Sequence, residues 1–486
     1  MAPTQSLKPL SLLLAVLALL GAWRWWVGSG LPLSVDEAYY YAWSLTPDWG
    51  YWTKPPLIAW AIAGADSLCG PTTACIRGVG VLAFAFSSLL IYGLSISMGL
   101  GAKQSVASAI AFATLPLSTF YGMVASTDSM LLLCWVLSMA CLWQALSGKV
   151  WGWLGLGVFA GTGLLAKYSM AIIAPSVALV LLHPEWRSQW RRPGPYVASL
   201  VGLLVFAPNL WWNLNHGMPT LQHTADISRG AAYTLKPETL FVFWAEQWLV
   251  GNVVLVSAFV VWLVRGCGQG SGRMLTRHWF LISFSMPMLA VISAQALLSR
   301  AHANWAAPAH AALTLAAVGW LWQSRRHVWL GLALAFNLLF AVLLYHGQTL
   351  VREPLGLTAS WRTDPFWSLR NWPGVHAQTR ERLTELAPQG QWRVASDDRA
   401  VLAQLQWGLQ LPAGAAMGWM KNQAPMNHFD QRFALTLDQG PVLLLTQTPD
   451  AEVLKDHPLA KKLPPIRSAL IESEAIEFKA WWLSPP

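Results

Sequence analysis

The sequence predicts an all-α polytopic membrane protein with a small α/β domain at its C-terminal end. Three observations predict this class. The 486 residues are 55% apolar and only 11% charged, whereas a soluble chain carries about a quarter charged residues. Apolar windows near the ~20 residues needed to span a bilayer recur from Leu10 to about Tyr345. After about residue 348 charges return, and short apolar runs alternate with amphipathic stretches. The net charge of +9 does not point to nucleic acid, because Lys and Arg gathered in cytoplasmic loops account for it.

Roughly eleven spans are expected, near residues 10–28, 78–98, 104–122, 129–147, 150–166, 168–183, 195–213, 243–264, 279–298, 303–322 and 328–347. With the N-terminus in the cytoplasm, the inner segments hold Lys8, Lys103, Lys149, Arg187, Arg191, Arg192, Arg265, Arg273, Arg277, Arg325 and Arg326. The outer loops hold Lys54, Arg77, Lys167, Arg229, Lys236 and Arg300. The denser clusters fall inside, as the positive-inside rule requires, and this registration implies an odd number of spans. The membrane domain is then 1–347, and the α/β domain, 348–486, lies on the outer face.

The first span resembles a signal peptide in its Lys8 and apolar run. Trp23-Arg24-Trp25-Trp26 stands where a cleavage site would be, and such aromatic–basic clusters are interfacial anchors; the span is read as uncleaved. The outer loop 29–77 is too long for a simple connector. Its apolar stretch Pro55–Ala63 is too short to cross and starts with prolines, which a helix tolerates in its first turn, so an interfacial helix is expected there. Cys69 and Cys75 flank Gly70–Ala74 on this outer side, where an oxidising compartment permits a disulfide; two unrelated thiols are the other reading. Cys134, Cys141 and Cys267 lack metal-ligand spacing. In the last domain, Trp392–Ala395, Pro441–Thr446 and Ile476–Leu483 read as strands. Asp397–Trp407 reads as a helix with Asp397 or Asp398 near its start.

The chemistry concentrates just past the first span. Asp36-Glu37 is followed by Lys54-Pro55-Pro56. Charge at a membrane interface is costly unless paired or solvated, so adjacent carboxylates and a proline-locked lysine suggest a site for a phosphorylated, lipid-attached substrate.

Four blocks then carry a resemblance. They are Asp36-Glu37 with Trp49–Leu57, Ser126–Leu131, Pro208–Gly217 with Thr220 and His223, and Arg300–Ala309. In order and in topological side they resemble the superfamily of protein O-mannosyltransferases and lipid A aminoarabinose transferases. The resemblance implies a GT-C-like fold and an inverting hexosyl- or pentosyltransferase. The donor would be a polyprenyl-phosphate sugar, with undecaprenyl phosphate as carrier. The acceptor would be an envelope lipid A or core, another glycan or a protein. The setting would be the periplasmic face of a bacterial inner membrane, among membrane lipids and with no nucleic acid.

On that reading Asp36 is the base that takes the acceptor proton, a role typically worth ~10²–10⁴ in rate. Asp128 orients acceptor or sugar. Glu37 is either catalytic or pairs with a nearby cation. Lys54 and Arg300 stabilise the leaving phosphate, with Lys167 and Tyr40 as further phosphate contacts. His216, His223, His302, Asn304 and Tyr51 are candidate substrate contacts. Each has a bland rival. Thr127 or Asp128 suits a helix N-cap, the histidines suit an interface, and Lys167 suits a helix boundary. His223 is also the candidate metal ligand, but a divalent cofactor is doubtful: Thr53 stands where the aminoarabinose transferases carry a glutamate. A lipid-linked-sugar flippase or transporter, or a non-catalytic membrane scaffold, is the alternative. The former usually holds its ligand near the midplane on broken helices.

Overall fold

The computed structural model describes residues 7–229, 235–265, 272–358, 360, 362–388, 390–421, 425–438, 440–468 and 475–485. It divides into two compact units. The first comprises Met1–Val27, Lys54–Ile58 and Arg77–Leu343; the second comprises Gly28–Thr53, Ala59–Ile76 and Leu344–Pro486. Most of the segment 29–77 therefore groups with the C-terminal segment.

The first unit is helical. It holds α1 (Leu7–Ser29, as far as Val27), α4 (Thr73–Ser97, from Arg77 on), α5 (Ala102–Thr114), α6 (Pro116–Tyr121), α7 (Thr127–Leu146), α8 (Trp151–Ala166) and α9 (Ile173–Leu181). It continues through α10 (Gly194–Asn215), α11 (Pro219–Arg229), α12 (Pro237–Val250), α13 (Val253–Arg265), α14 (Arg273–Leu298), α15 (Ala309–Gln323) and α16 (His327–Gly347, as far as Leu343). Six helices among the described residues are long and apolar enough to cross a bilayer, or seven if α12 and α13 form one bent span. Leu57–Cys69, Trp151–Ala166 and Tyr168–Leu181 are shorter apolar helices.

Two expected spans are broken. The one at 104–122 divides at Leu115, because Pro116 cannot continue the α5 hydrogen bonds and instead starts α6. The one at 243–264 bends by 109° between α12 and α13. Asn252 sits in the break with φ +71°, a region Asn tolerates better than most residues. Its Oδ1 accepts from the Val254 and Leu255 amides at 2.8 and 3.1 Å. Its Nδ2 donates to Ala333 O and Asn337 Oδ1, both at 2.8 Å. Two of the amides freed at the bend are thus met by this side chain inside the apolar unit.

α8 and α10 pack through small residues. A Cβ on Gly157 would lie 2.5 Å from Ala198 O, and one on Gly161 2.6 Å from Gly202 O. Close backbone approach of this kind is how helices associate without a hydrophobic driving force.

The second unit contains α2 (Val35–Ser44), nearly all of α3 (Leu57–Cys69), α17 (Trp367–Arg370), α18 (Trp372–Leu386), α19 (Arg399–Gly408), α20 (His428–Arg432) and α21 (Asp450–Asp456). Its strands are β1 (Val394–Ser396), β2 (Ala416–Gly418), β3 (Val442–Thr446), β4 (Lys461–Ser468) and β5 (Ile476–Leu483), in the order β2-β1-β3-β5-β4. β1 lies parallel to both β2 and β3, whereas β5 is antiparallel to β3 and β4. Ala395, Met417, Trp419, Leu444, Val453 and Trp481 anchor the core. Asp398, not Asp397, caps α19, accepting from the Ala400 amide at 2.8 Å. Asp397 instead ties the end of β1 to that of β3, accepting from Thr446 Oγ1 at 2.5 Å and Thr448 Oγ1 at 2.9 Å and pairing with Lys421. Burial works against its charge, but Lys421 and the two threonines outweigh it and hold the carboxyl below its usual range. Cys69 and Cys75 form a disulfide.

Candidate active site

In the first unit, two separate elements bring polar side chains onto Asp128 of α7. The carboxylate stands in the first turn of α7, but it does not cap the helix. Ser126 is the N-cap and accepts from the Ser129 amide at 3.1 Å, which corrects the expectation that Thr127 or Asp128 would do so. Asp128 is left to accept at Oδ1 from Lys167 Nζ at 2.7 Å and at Oδ2 from Asn304 Nδ2 at 2.9 Å. The pair is largely buried, its side chains 10% and 16% exposed for Asp128 and Lys167. A buried carboxylate costs several kcal/mol unless it is paired and hydrogen-bonded, and this one has both kinds of partner.

Lys167 reaches Asp128 because α8 ends at Ala166 and the chain turns extended before the short 3-10 turn Tyr168–Ile172. The next residue, Tyr168, donates to Asn209 Oδ1 at 2.8 Å and accepts from Asn213 Nδ2 at 3.1 Å, fixing this corner to the end of α10. Asn304 is carried by the 3-10 turn Ala303–Ala306. Gln247 on α12 holds that turn, donating to Ala303 O at 3.1 Å, while its Oε1 lies 2.9 Å from His310 Nε2. Sequence reasoning missed Gln247 and His310. They carry no motif and act only through contacts remote in the chain.

His302 belongs to the same neighbourhood. Partial desolvation, then the positive charges of Arg300 and Lys167, push its imidazole below the usual range, against the pull of Glu246 and Asp128. Its ring packs edge-on against Trp305 at 5.5 Å. Arg300 is exposed. His216 stacks on Trp212 at 4.2 Å, with Nδ1 2.8 Å from Trp212 O, and so finishes α10. His223 is half-buried on α11, and Lys54 is half-buried in the turn before α3. No group of three or more His, Cys, Asp or Glu able to hold a metal ion occurs among the described residues. Thr53 is buried.

In the second unit, Asp36 and Glu37 separate in role. Glu37 is buried and closes a capping box on α2. Its Oε2 accepts from the Ser34 amide at 2.9 Å, and Ser34 Oγ accepts from the Glu37 amide at 3.2 Å. The side chain of Asp36 is 63% exposed, with Arg399 Nη2 at 3.8 Å. An exposed pair at that distance is weak, so the Asp36 carboxylate stays available.

The helix that carries it is firmly placed within this unit. Tyr41 packs edge-on against Trp407 of α19 at 4.9 Å, Arg399 lies over the Tyr39 ring, and Gln404 Nε2 donates to Leu33 O at 3.0 Å. Tyr40 is buried against Trp43. Tyr51 is 1% exposed and stacks on Trp43 at 4.7 Å; its hydroxyl accepts from the Asp48 amide and donates to Trp43 O, both at 3.0 Å. Tyr51, expected as a substrate contact, packs here against α2 with its hydroxyl bonded within the turn.

This chain is similar to known proteins in three ways. A family model described as dolichyl-phosphate-mannose-protein mannosyltransferase matches residues 53–212. The lipid A galacturonosyltransferase RgtD of Rhizobium johnstonii is 30% identical over 448 residues, covering 87% of this chain and 89% of that protein. An undecaprenyl phosphate-alpha-4-amino-4-deoxy-L-arabinose arabinosyl transferase of Pseudomonas aeruginosa is 32% identical over 166 residues, 32% of this chain and 30% of that one. Among solved structures, ArnT from Cupriavidus metallidurans bound to undecaprenyl phosphate matches with a TM-score of 0.64 at 14% identity, over 99% of this chain and 100% of that one. That last likeness concerns the fold.

Proposed function

The chain belongs to the GT-C glycosyltransferases that use polyprenyl-phosphate sugars, and we propose that it transfers a uronic acid from undecaprenyl phosphate to lipid A. The observation that carries sugar and acceptor is the match to a lipid A galacturonosyltransferase along 87% of the chain. The relatives named for an undecaprenyl phosphate donor support the carrier. Aminoarabinose is the second reading, favoured by those same relatives, but they match only about a third of the chain, and Thr53 departs from their pattern. Enzyme relatives leave the flippase and scaffold readings without support.

In the proposed reaction an acceptor hydroxyl attacks the anomeric carbon, the bond from that carbon to the phosphate oxygen breaks, and the configuration inverts. Asp36 takes the hydroxyl proton; its exposure and loose ion pair support this role over Glu37, whose carboxylate serves a helix cap. Lys54 and Arg300 meet the charge that gathers on the leaving phosphate, where fixed cations favour the transition state over the ground state. Asp128 orients a substrate hydroxyl. Lys167, its charge matched by Asp128, is a positioning residue in this reading, not a phosphate contact. No step passes through a metal. The proposed setting is a bacterial inner membrane, crossed roughly eleven times, with the 348–486 domain and the chemistry on the periplasmic side.

Lipid A extracted from cells of a bacterium that lacks the modification, with and without this chain, tests the proposal. Wild type is expected to add the mass of one uronic acid residue, and Asp36→Asn to add none at equal expression. Lipid A unchanged by wild type overturns the acceptor assignment, and full modification by Asp36→Asn removes the base.

A further inference from the structure

The end of the first unit away from Asp128 carries a second set of features. α8 and α10 run parallel: a Cβ on Gly194, which opens α10, would lie 2.4 Å from Trp153 Nε1 near the start of α8, while Tyr168 and Asn209 join their far ends. The 22 residues of α10 rise ~33 Å, so the loop between α9 and α10 lies a bilayer core away from the Asp128 corner. α8 and α10 touch closely through their glycines, but α9 stands off. Between the three helices is a cavity of about 620 Å³, lined by Leu164, Ala174, Leu181, Leu203 and Trp190, with Ser199 the one hydroxyl in its wall. This wall suits an alkyl chain.

The mouth is predominantly cationic. Arg191 and Arg192 follow Trp190 directly and precede Pro195, which also lines the cavity. Both are exposed, as is Arg187 on the same turn, and none of the three is salt-bridged among the described residues. Glu185, the acid of this loop, accepts from Thr276 Oγ1 at 2.6 Å. Trp190 and Tyr196 are partly exposed beside them, and the Tyr196 hydroxyl donates to Trp190 O at 2.8 Å; aromatic side chains of this kind sit at headgroup depth.

We propose that this groove is a binding site for an anionic glycerophospholipid, with an acyl chain between α8, α9 and α10 and its phosphate on Arg187, Arg191 and Arg192. Charge complementarity selects the occupant. Basic pockets between membrane helices favour anionic headgroups, and each arginine near the phosphate contributes roughly fivefold in affinity. The site lies at the end of α8 opposite to the Asp128–Lys167 pair.

Native mass spectrometry of the full chain, with dioleoyl phosphatidylglycerol or dioleoyl phosphatidylcholine added at equal concentration, tests it. Wild type is expected to retain the glycerol lipid about tenfold or more over the choline lipid. Raising salt to ~0.5 M should erode that preference on wild type, and the triple substitution R187Q/R191Q/R192Q should abolish it. Ala174→Trp, which fills the groove, should lower retention of both lipids. Equal retention of the two lipids by wild type overturns the proposal, as does a preference that survives salt. Displacement of phosphatidylglycerol by undecaprenyl phosphate overturns it too, because the groove would then hold the donor's tail.

Discussion

Replacing Lys167 by Met should destabilise the first unit through Asp128, and a double-mutant cycle should show it. The ammonium lies 2.7 Å from Asp128 Oδ1; at an effective dielectric of ~20 the gross attraction is about 6 kcal/mol. Desolvation of both groups offsets much of that, and removing one partner of a buried pair typically costs ~3–5 kcal/mol. With side chains 10% and 16% exposed, the low end of that range, about 3 kcal/mol, is the expectation for Lys167→Met. Asp128→Asn should cost about 2 kcal/mol, because the amide still accepts from Asn304 and Lys167 can turn to solvent. The double variant should cost about 2 kcal/mol less than the sum, since neither charge is then left alone. The assay is reversible unfolding in mixed micelles by SDS titration. Additivity within ~0.5 kcal/mol, or a Lys167→Met protein as stable as wild type, would refute the claim that the two charges hold each other.

Three other outcomes are expected. Lys54→Met and Arg300→Met should each lower kcat by ~10²–10³ with smaller changes in KM, as for loss of a group that acts mainly on the transition state; a change confined to KM would assign them to ground-state binding. Turnover in excess EDTA should stay within about twofold of the untreated rate, and a metal-restorable loss would contradict the metal-free reading. The second unit should weaken in acid. His428 is enclosed by Tyr39, Trp43, Tyr51 and Phe433; burial, then the charge of Arg432, push its imidazole down to about 3. The unfolded ring takes a proton near pH 6.5 while the folded one stays neutral. Its contribution is therefore full above about pH 6.5 and is lost as pH falls towards 3, by up to roughly 1.4 kcal/mol per pH unit. Melting curves between pH 7 and 4 should show a shallower decline for His428→Phe than for wild type, and identical slopes would contradict this.

Periodicity and hydropathy made the helical unit legible, because a bilayer forces long apolar runs and leaves few alternatives. The breaks were less so. Gly251-Asn252 reads as an interruption only when Asn337, remote in the chain, is seen to receive it. In the second unit β5 was read with its bounds as found, whereas β2 is three residues long and offers no alternation to detect. β4 contains Pro464 and Pro465, which argue against a strand, yet it is an edge strand with an irregular register between Leu463 and Ile466, where proline is tolerated. At the site, Ser34 and Glu37 already spell a capping box in the sequence, but the adjacent acid drew both carboxylates into one reading. Thr127 and Asp128 were the two candidates for the cap, and only the fold selects the preceding Ser126 and frees Asp128. The partnership of Asp128 with Lys167 and Asn304 spans 176 positions, and no local pattern reports it.

The most direct test of the function is transfer by the purified chain between defined lipids. Undecaprenyl phosphate carrying isotopically labelled galacturonic acid, aminoarabinose or mannose would each be offered with lipid A, and both products followed by mass spectrometry. The account predicts labelled lipid A from the galacturonic acid donor, with one undecaprenyl phosphate released per sugar transferred. Labelling from the aminoarabinose or mannose donor alone, or release of undecaprenyl phosphate with lipid A left unlabelled, would contradict it.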